Sequence, residues 1–225
     1  MAKAILWNEL NFDDIDLSAP TRNKRDKGRS THAICPFIQF GEADVPTCII
    51  QDILNTKGMF ALKVSLTKDM CTWLKHFEAY LVEYTAKYSQ EWFGVSLEIK
   101  DVKRMLCSIE QNQDIILKCG KRLKCYRTLD DEDTLERISF KDVRPGDVIV
   151  PVVNFDGMYI ASRHFTPSFT IDHLLVVGHQ ESTEIDNNPF IDDRKVYDIV
   201  DPFSFYNSGG DQDSAGSFDT HVFTQ

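Results

Sequence analysis

One segment of the chain carries a helical period that nothing around it shares. In TKDMCTWLKHFEAYLVEYTAKYS, residues 67–89, the apolar side chains Met70, Trp73, Leu74, Phe77, Leu81 and Tyr84 recur at intervals of three and four. That spacing lines one face of an α-helix. Thr67 is placed to cap it, and Asp69 favours the positive end of its dipole. A lone long helix must bury its stripe against some other element, so the flanking segments decide the fold class.

Those segments read mostly as strands. HAICPFIQF (32–40) and TCII (47–50) are short apolar runs bounded by Pro, Gly and Asn. GMFALKVSL (58–66) alternates Phe60, Leu62, Val64 and Leu66. After WFG a second, shorter helix is expected in SLEIKDVKRMLCSI (96–109), with Ser96 as cap and Val102, Met105, Leu106 and Ile109 as its stripe. ILKCGKRLKCYR (116–127) and DVIVPVVNF (147–155) follow as strands. Asp156-Gly157 signals a hairpin into MYIASRHF (158–165), and SFTIDHLLVV (168–177) closes the core. About six or seven strands with two helices make an α+β domain on an antiparallel barrel or sheet. The expected boundaries are an extended basic arm at 1–30, the α+β core at 31–180, and an acidic, mobile tail at 181–225, whose few apolar residues are isolated among acids.

Charge is distributed unevenly. The net charge is −10, but the last 45 residues hold ten acids against two bases. The first 180 are nearly balanced, and their bases cluster in TRNKRDKGR (21–29) and KCGKRLKCYR (118–127). Local fields of this kind outweigh the total. The basic run at 21–29 reads most simply as a solvated linker. Six scattered cysteines without a CxxC pair read as reduced core thiols. No metal, cofactor, transmembrane helix or signal peptide is expected. Phosphate loops, nucleophile elbows and HExxH are missing, so an enzyme has little support. The DDED loop at 130–133 reads as a solvated turn rather than an ion site.

What remains is a constellation of cations and rings. Period two along 116–127 places Leu117, Cys119, Leu123 and Cys125 on one face, and Lys118, Arg122, Lys124 and Tyr126 on the other, with Arg127 at the end of the run. The same reading of MYIASRHF groups Tyr159, Arg163 and Phe165. Cations for phosphates beside flat rings for unpaired bases are what a single nucleic-acid strand requires. The residues alone leave a second reading open, in which the rings belong to the core and the bases solvate an edge strand.

SQEWFGVSLEIKDVKRML (89–106), the basic strand, and VRPGDVIVPVVNFDGMYIASRHFTPSFTIDHLLVV (143–177) occur in that order. Together they resemble the single-stranded-DNA-binding proteins of nucleocytoplasmic large DNA viruses and of certain phages. The resemblance spans roughly residues 85–180 and leaves the N-terminal third without a counterpart. It implies an OB-like barrel with packed helices. It also implies phosphate contacts from Lys118, Arg122 and Lys124, base stacking by Tyr126, Tyr159 and Phe165, and packing of Trp92 and Phe93 between helix and barrel. An acidic tail would dock viral replication proteins through Asp211, Asp213, Phe218, Asp219 and Phe223, and compete with DNA for the groove. The expected function is therefore non-catalytic binding of single-stranded DNA in replication, recombination or repair, within the host cytoplasm or nucleus or in the virion. Self-association as a homo-oligomer stays open. The alternative is a minor capsid or assembly protein with extended arms.

Overall fold

In the computed structural model, residues 4–23, 28–56, 58–129, 134–161 and 164–180 are described. Five long strands form the centre: β1 (Cys48–Thr56), β2 (Met59–Leu66), β3 (Asp114–Thr128), β4 (Asp147–Ile160) and β5 (Phe165–His179). They pair in the order β1-β2-β3-β5-β4, and β4 returns to β1 through Val148↔Ile49 and Ile149↔Cys48. The sheet therefore closes on itself as an OB-like barrel. Four of the five contacts are antiparallel, and the β3–β5 contact is parallel.

Helix α1 (Lys68–Phe93) joins β2 to β3. Thr67 caps it as its sequence suggests, accepting a hydrogen bond from the Met70 amide at 3.4 Å. Met70, Leu74, Phe77 and Leu81 are fully buried, and Trp73 nearly so. Phe77 meets Phe155 of β4 edge-on at 5.0 Å and Phe169 of β5 at 5.5 Å, so the helix plugs the barrel with aromatic contacts. Trp92 and Phe93, each 6% exposed, continue that packing. Helix α2 (Ile99–Met105) is shorter than its apolar stripe implied and starts after Glu98, not at Ser96. Val102 is its buried anchor; the chain then extends, and the Cys107 amide donates to the Phe165 carbonyl at 2.9 Å.

The expected boundary at residue 30 does not match the packing. Leu10, Ile15 and Leu17 join the core, and the rings of Trp7 and Phe12 lie 6.1 and 5.9 Å from Trp73. Ile5–Leu6 runs parallel to Ile38–Gln39, which in turn pairs with Val152 and Val153 of β4. Arg29–Ser30 pairs with the far end of β4 at Ile160 and Tyr159. The N-terminal segment is thus a strap laid along the part of β4 that β1 leaves unpaired. It satisfies backbone groups that an open edge would expose.

The hairpin expected at Asp156-Gly157 is displaced. Both residues lie inside β4, at a register shift between Phe155 and Gly157. Gly157 has φ +110°, and a Cβ there would meet Thr31 Oγ1 at 2.8 Å. Its glycine serves a bulge and the close approach of the strap. The chain instead reverses between the end of β4 at Ile160 and the start of β5 at Phe165, where the Ala161 amide donates to the His164 carbonyl at 2.8 Å.

Candidate nucleic-acid interface

The register of β3 against β5 positions the basic residues. Lys118 and Cys119 pair with Thr170 and Ile171, then pairing lapses and resumes at Lys124↔His173 and Tyr126↔Leu175. One residue of β5 faces four of β3 across this irregularity, so residues 120–123 leave the ladder. Lys121 and Arg122 are exposed there. On either side, Leu117 and Cys125 turn inward and are buried, while Lys118, Lys124 and Tyr126 sit half-buried on the outer face.

Two polar systems occupy that outer face. In the first, Lys118 Nζ donates to Ser168 Oγ at 2.9 Å, and the hydroxyls of Ser168 and Thr170 donate to Asp156 Oδ2 at 3.0 and 2.7 Å. Asn154 Nδ2 donates to the other Asp156 oxygen at 3.3 Å. Lys118 is thereby tied into a neutralising network.

The second system is centred on His173. Its ring lies nearly parallel to Tyr126, at 11° and 6.3 Å between centroids. Nδ1 lies 2.8 Å from Asp172 Oδ2 and Nε2 lies 3.5 Å from Lys124 Nζ. A consistent assignment has Nδ1–H donating to the carboxylate and Nε2 accepting from the ammonium. Arg137, on the short strand Leu135–Ile138, stands directly opposite Tyr126 and is exposed. Cross-strand partners share a face, so Arg137 adds a cation beside the tyrosine.

This second system borders an open cleft of about 630 Å³. Val150 and Val152 of β4 and Leu175 of β5 form its apolar floor. Lys124, Tyr126 and His173 line one side, Phe37, Gln39 and Ala43 of the strap line the other, and Leu135 stands at the rim.

The remaining expected residues fall elsewhere. Phe165 is 1% exposed and belongs to the core, which corrects its assignment as a base-stacking ring. Alternation from Tyr159 to Phe165 runs past the end of β4 at Ile160 into a different strand, and a change of strand resets the phase. Tyr159 is half-buried with its ring over Gly28, where any Cβ would collide with it. Arg127 points away from Tyr126 and donates through Nη2 to the Asp142 carbonyl at 3.4 Å, holding the segment after Ile138. Arg163 and the tail residues Asp211, Asp213, Phe218, Asp219 and Phe223 lie outside the described residues, as does the DDED loop.

Sequence reasoning missed Lys121, Arg137, Asp172, His173 and Phe37. Asp172-His173 left a signal, since it is the one charged pair interrupting an otherwise apolar run. Arg137 was hidden beside the acidic loop, and nothing local placed Phe37 near β5.

Three thiols are held in the protonated form. Burial pushes Cys119 up to about 12 and Cys125 up to about 11, and Cys48 likewise to about 12. Among the described residues no cluster of three or more His, Cys, Asp or Glu side chains is placed to hold a metal, and no helix is long and apolar enough to cross a membrane.

No family model matches the chain, and no curated protein matches it. Among solved structures it is similar to the single-stranded DNA-binding protein from bacteriophage Enc34, at 11% identity and a TM-score of 0.42, over 76% of this chain and 95% of that one.

Proposed function

We propose that this protein binds single-stranded DNA without catalysis, in viral replication, recombination or repair, and that the strand lies across the outer face of β3 and β5. The observation that carries the reading is the ring ledge of Tyr126 and His173, with Lys124 and Arg137 beside it and an apolar floor beneath. Unpaired bases have exposed π-faces that such a ledge can stack, at about 1–3 kcal/mol each. Phosphates would follow Arg122, Lys124 and Arg137. Asp172 does not favour phosphate at its own edge, and its carboxylate is occupied by His173 Nδ1 at 2.8 Å.

The net charge of −10 does not oppose this. At physiological salt the Debye length is about 8 Å, so cations next to the strand dominate over acids elsewhere. A duplex keeps its base faces stacked inside, so the ledge would distinguish single from double strands.

The test is fluorescence anisotropy of labelled oligothymidylate and of a duplex of equal length, at several salt concentrations. Tighter binding to the single strand, weakening linearly in log–log against salt, is expected. Absent binding at low salt, or equal affinity for the duplex, would overturn the reading.

A further inference from the structure

The geometry points to the cleft as a slot that takes an unstacked nucleobase between two walls, one of which is the N-terminal strap. This rests on the single-strand reading above and adds a second side to the site.

The alternation in PFIQF (36–40) sets the strap wall. Ile38 and Phe40 are fully buried in the core, so Phe37 and Gln39 face the opposite way, into the cleft. Backbone pairing holds this wall in place. The Ile5 amide donates to the Phe37 carbonyl at 2.9 Å, the Phe40 amide donates to the Pro151 carbonyl at 2.9 Å, and Gln39 pairs with Val152. Gln39 Nε2 donates to the Gly41 carbonyl at 2.8 Å, which fixes that side chain as well. The strap is therefore a preformed wall, and little ordering entropy is lost when a ligand enters.

Across the floor stands the Tyr126–His173 pair. The slot offers ring surface on both sides and apolar side chains below, with Lys124 and Asp172 also among its lining residues. A neutral, flat, partly apolar group attached to a phosphate matches each of these features; a free anion or an aliphatic chain matches only one. The volume of about 630 Å³ falls within the roughly 300–1,000 Å³ typical of small-molecule sites, ample for a base. An OB-like barrel without the strap would have only the ledge.

Two competitors and two variants test it in the full chain. An abasic oligonucleotide keeps every phosphate of oligothymidylate and removes the bases. The wild-type protein should bind it about tenfold or more weakly, the effect of one or two stacked bases. A 2-aminopurine placed within oligothymidylate should lose fluorescence on binding, as stacked bases do. Ala43→Trp fills the slot from an exposed strap position, and should restore 2-aminopurine fluorescence and reduce the preference over the abasic strand to near unity, while the salt slope stays unchanged. Phe37→Ser, which removes the wall ring, should halve that preference or more, and serves if Ala43→Trp does not fold. Equal affinity for abasic and base-bearing strands, or a preference unmoved in the folded variants, would overturn the slot and leave the single-strand function standing. No binding of oligothymidylate at all would overturn both.

Discussion

Tyr126 and Phe165 look alike in the sequence: each is a ring within two residues of a cation, in a segment that alternates. The structure separates them. Tyr126 stands on the outer face of β3, stacked with His173 and facing Arg137. Phe165 opens β5 with its ring in the core, 1% exposed, and its carbonyl receives the Cys107 amide. The difference lies in what continues the alternation. Period two through 116–127 stays within one strand, so its faces hold. From Tyr159 to Phe165 it leaves β4 at Ile160 and enters β5, and the inference of a shared face fails with it.

The largest expected effect sharpens this contrast. Phe165→Ala should cost about 3–5 kcal/mol of stability, as deletion of a buried ring does, with the oligothymidylate affinity of the folded fraction unaltered. Tyr126→Ala should do the reverse, losing about 1–3 kcal/mol of binding while the melting temperature hardly moves. Thermal denaturation and anisotropy on both variants form a two-by-two comparison. If Tyr126→Ala melted far lower with its affinity intact, the ledge would be a packing feature and the contrast would collapse.

How far the sequence carries is visible in the same residues. The stripe of α1 was fully legible because Met70, Leu74, Phe77 and Leu81 face one wall, and a helical period needs only local information. The strands were legible as strands, and Leu117 and Cys125 as inward residues. Closure by the β4–β1 contact was legible only through the resemblance. Of the strap, only the run at 32–40 was legible as strand; its course along β4 was not. Its pairings join residues such as Gln39 and Val152, more than a hundred positions apart, through two-residue stretches too short to show a period. The site was half legible: β3 supplied Lys124 and Tyr126, while His173 entered through a parallel pairing that no hairpin announces.

A smaller effect tests the third ring of the expected set. Tyr159 lies over Gly28, and a methyl at residue 28 would have to displace it. Gly28→Ala should cost about 1–3 kcal/mol of stability, typical of overpacking, and leave DNA affinity unchanged. A gain in affinity would mean that Tyr159, once released from the strap, reaches the strand, and would return it to the side of Tyr126.

The finest test sets Lys124 against Lys118, six positions apart on the same face of β3. Both were expected to meet phosphates. Lys118 Nζ donates to Ser168 within the network that closes on Asp156, whereas Lys124 Nζ lies 3.5 Å from Nε2 of His173. An ammonium already engaged near a carboxylate is less available to neutralise a phosphate, so fewer of the DNA's counterions are released and it contributes less to the salt dependence. Lys124→Ala should therefore lower the slope of log affinity against log salt by about 0.7, the value for one phosphate contact on a single strand. Lys118→Ala should leave the slope where it is, with a slight loss of stability from the missing Nζ–H···Oγ bond to Ser168. The slope is the right observable because it counts contacts and ignores small changes in fold. Equal falls in the two variants would place Lys118 on the DNA path, and extend the interface from the cleft to the Asp156 network. A fall with Lys118→Ala alone would move the strand off the Tyr126–His173 ledge altogether.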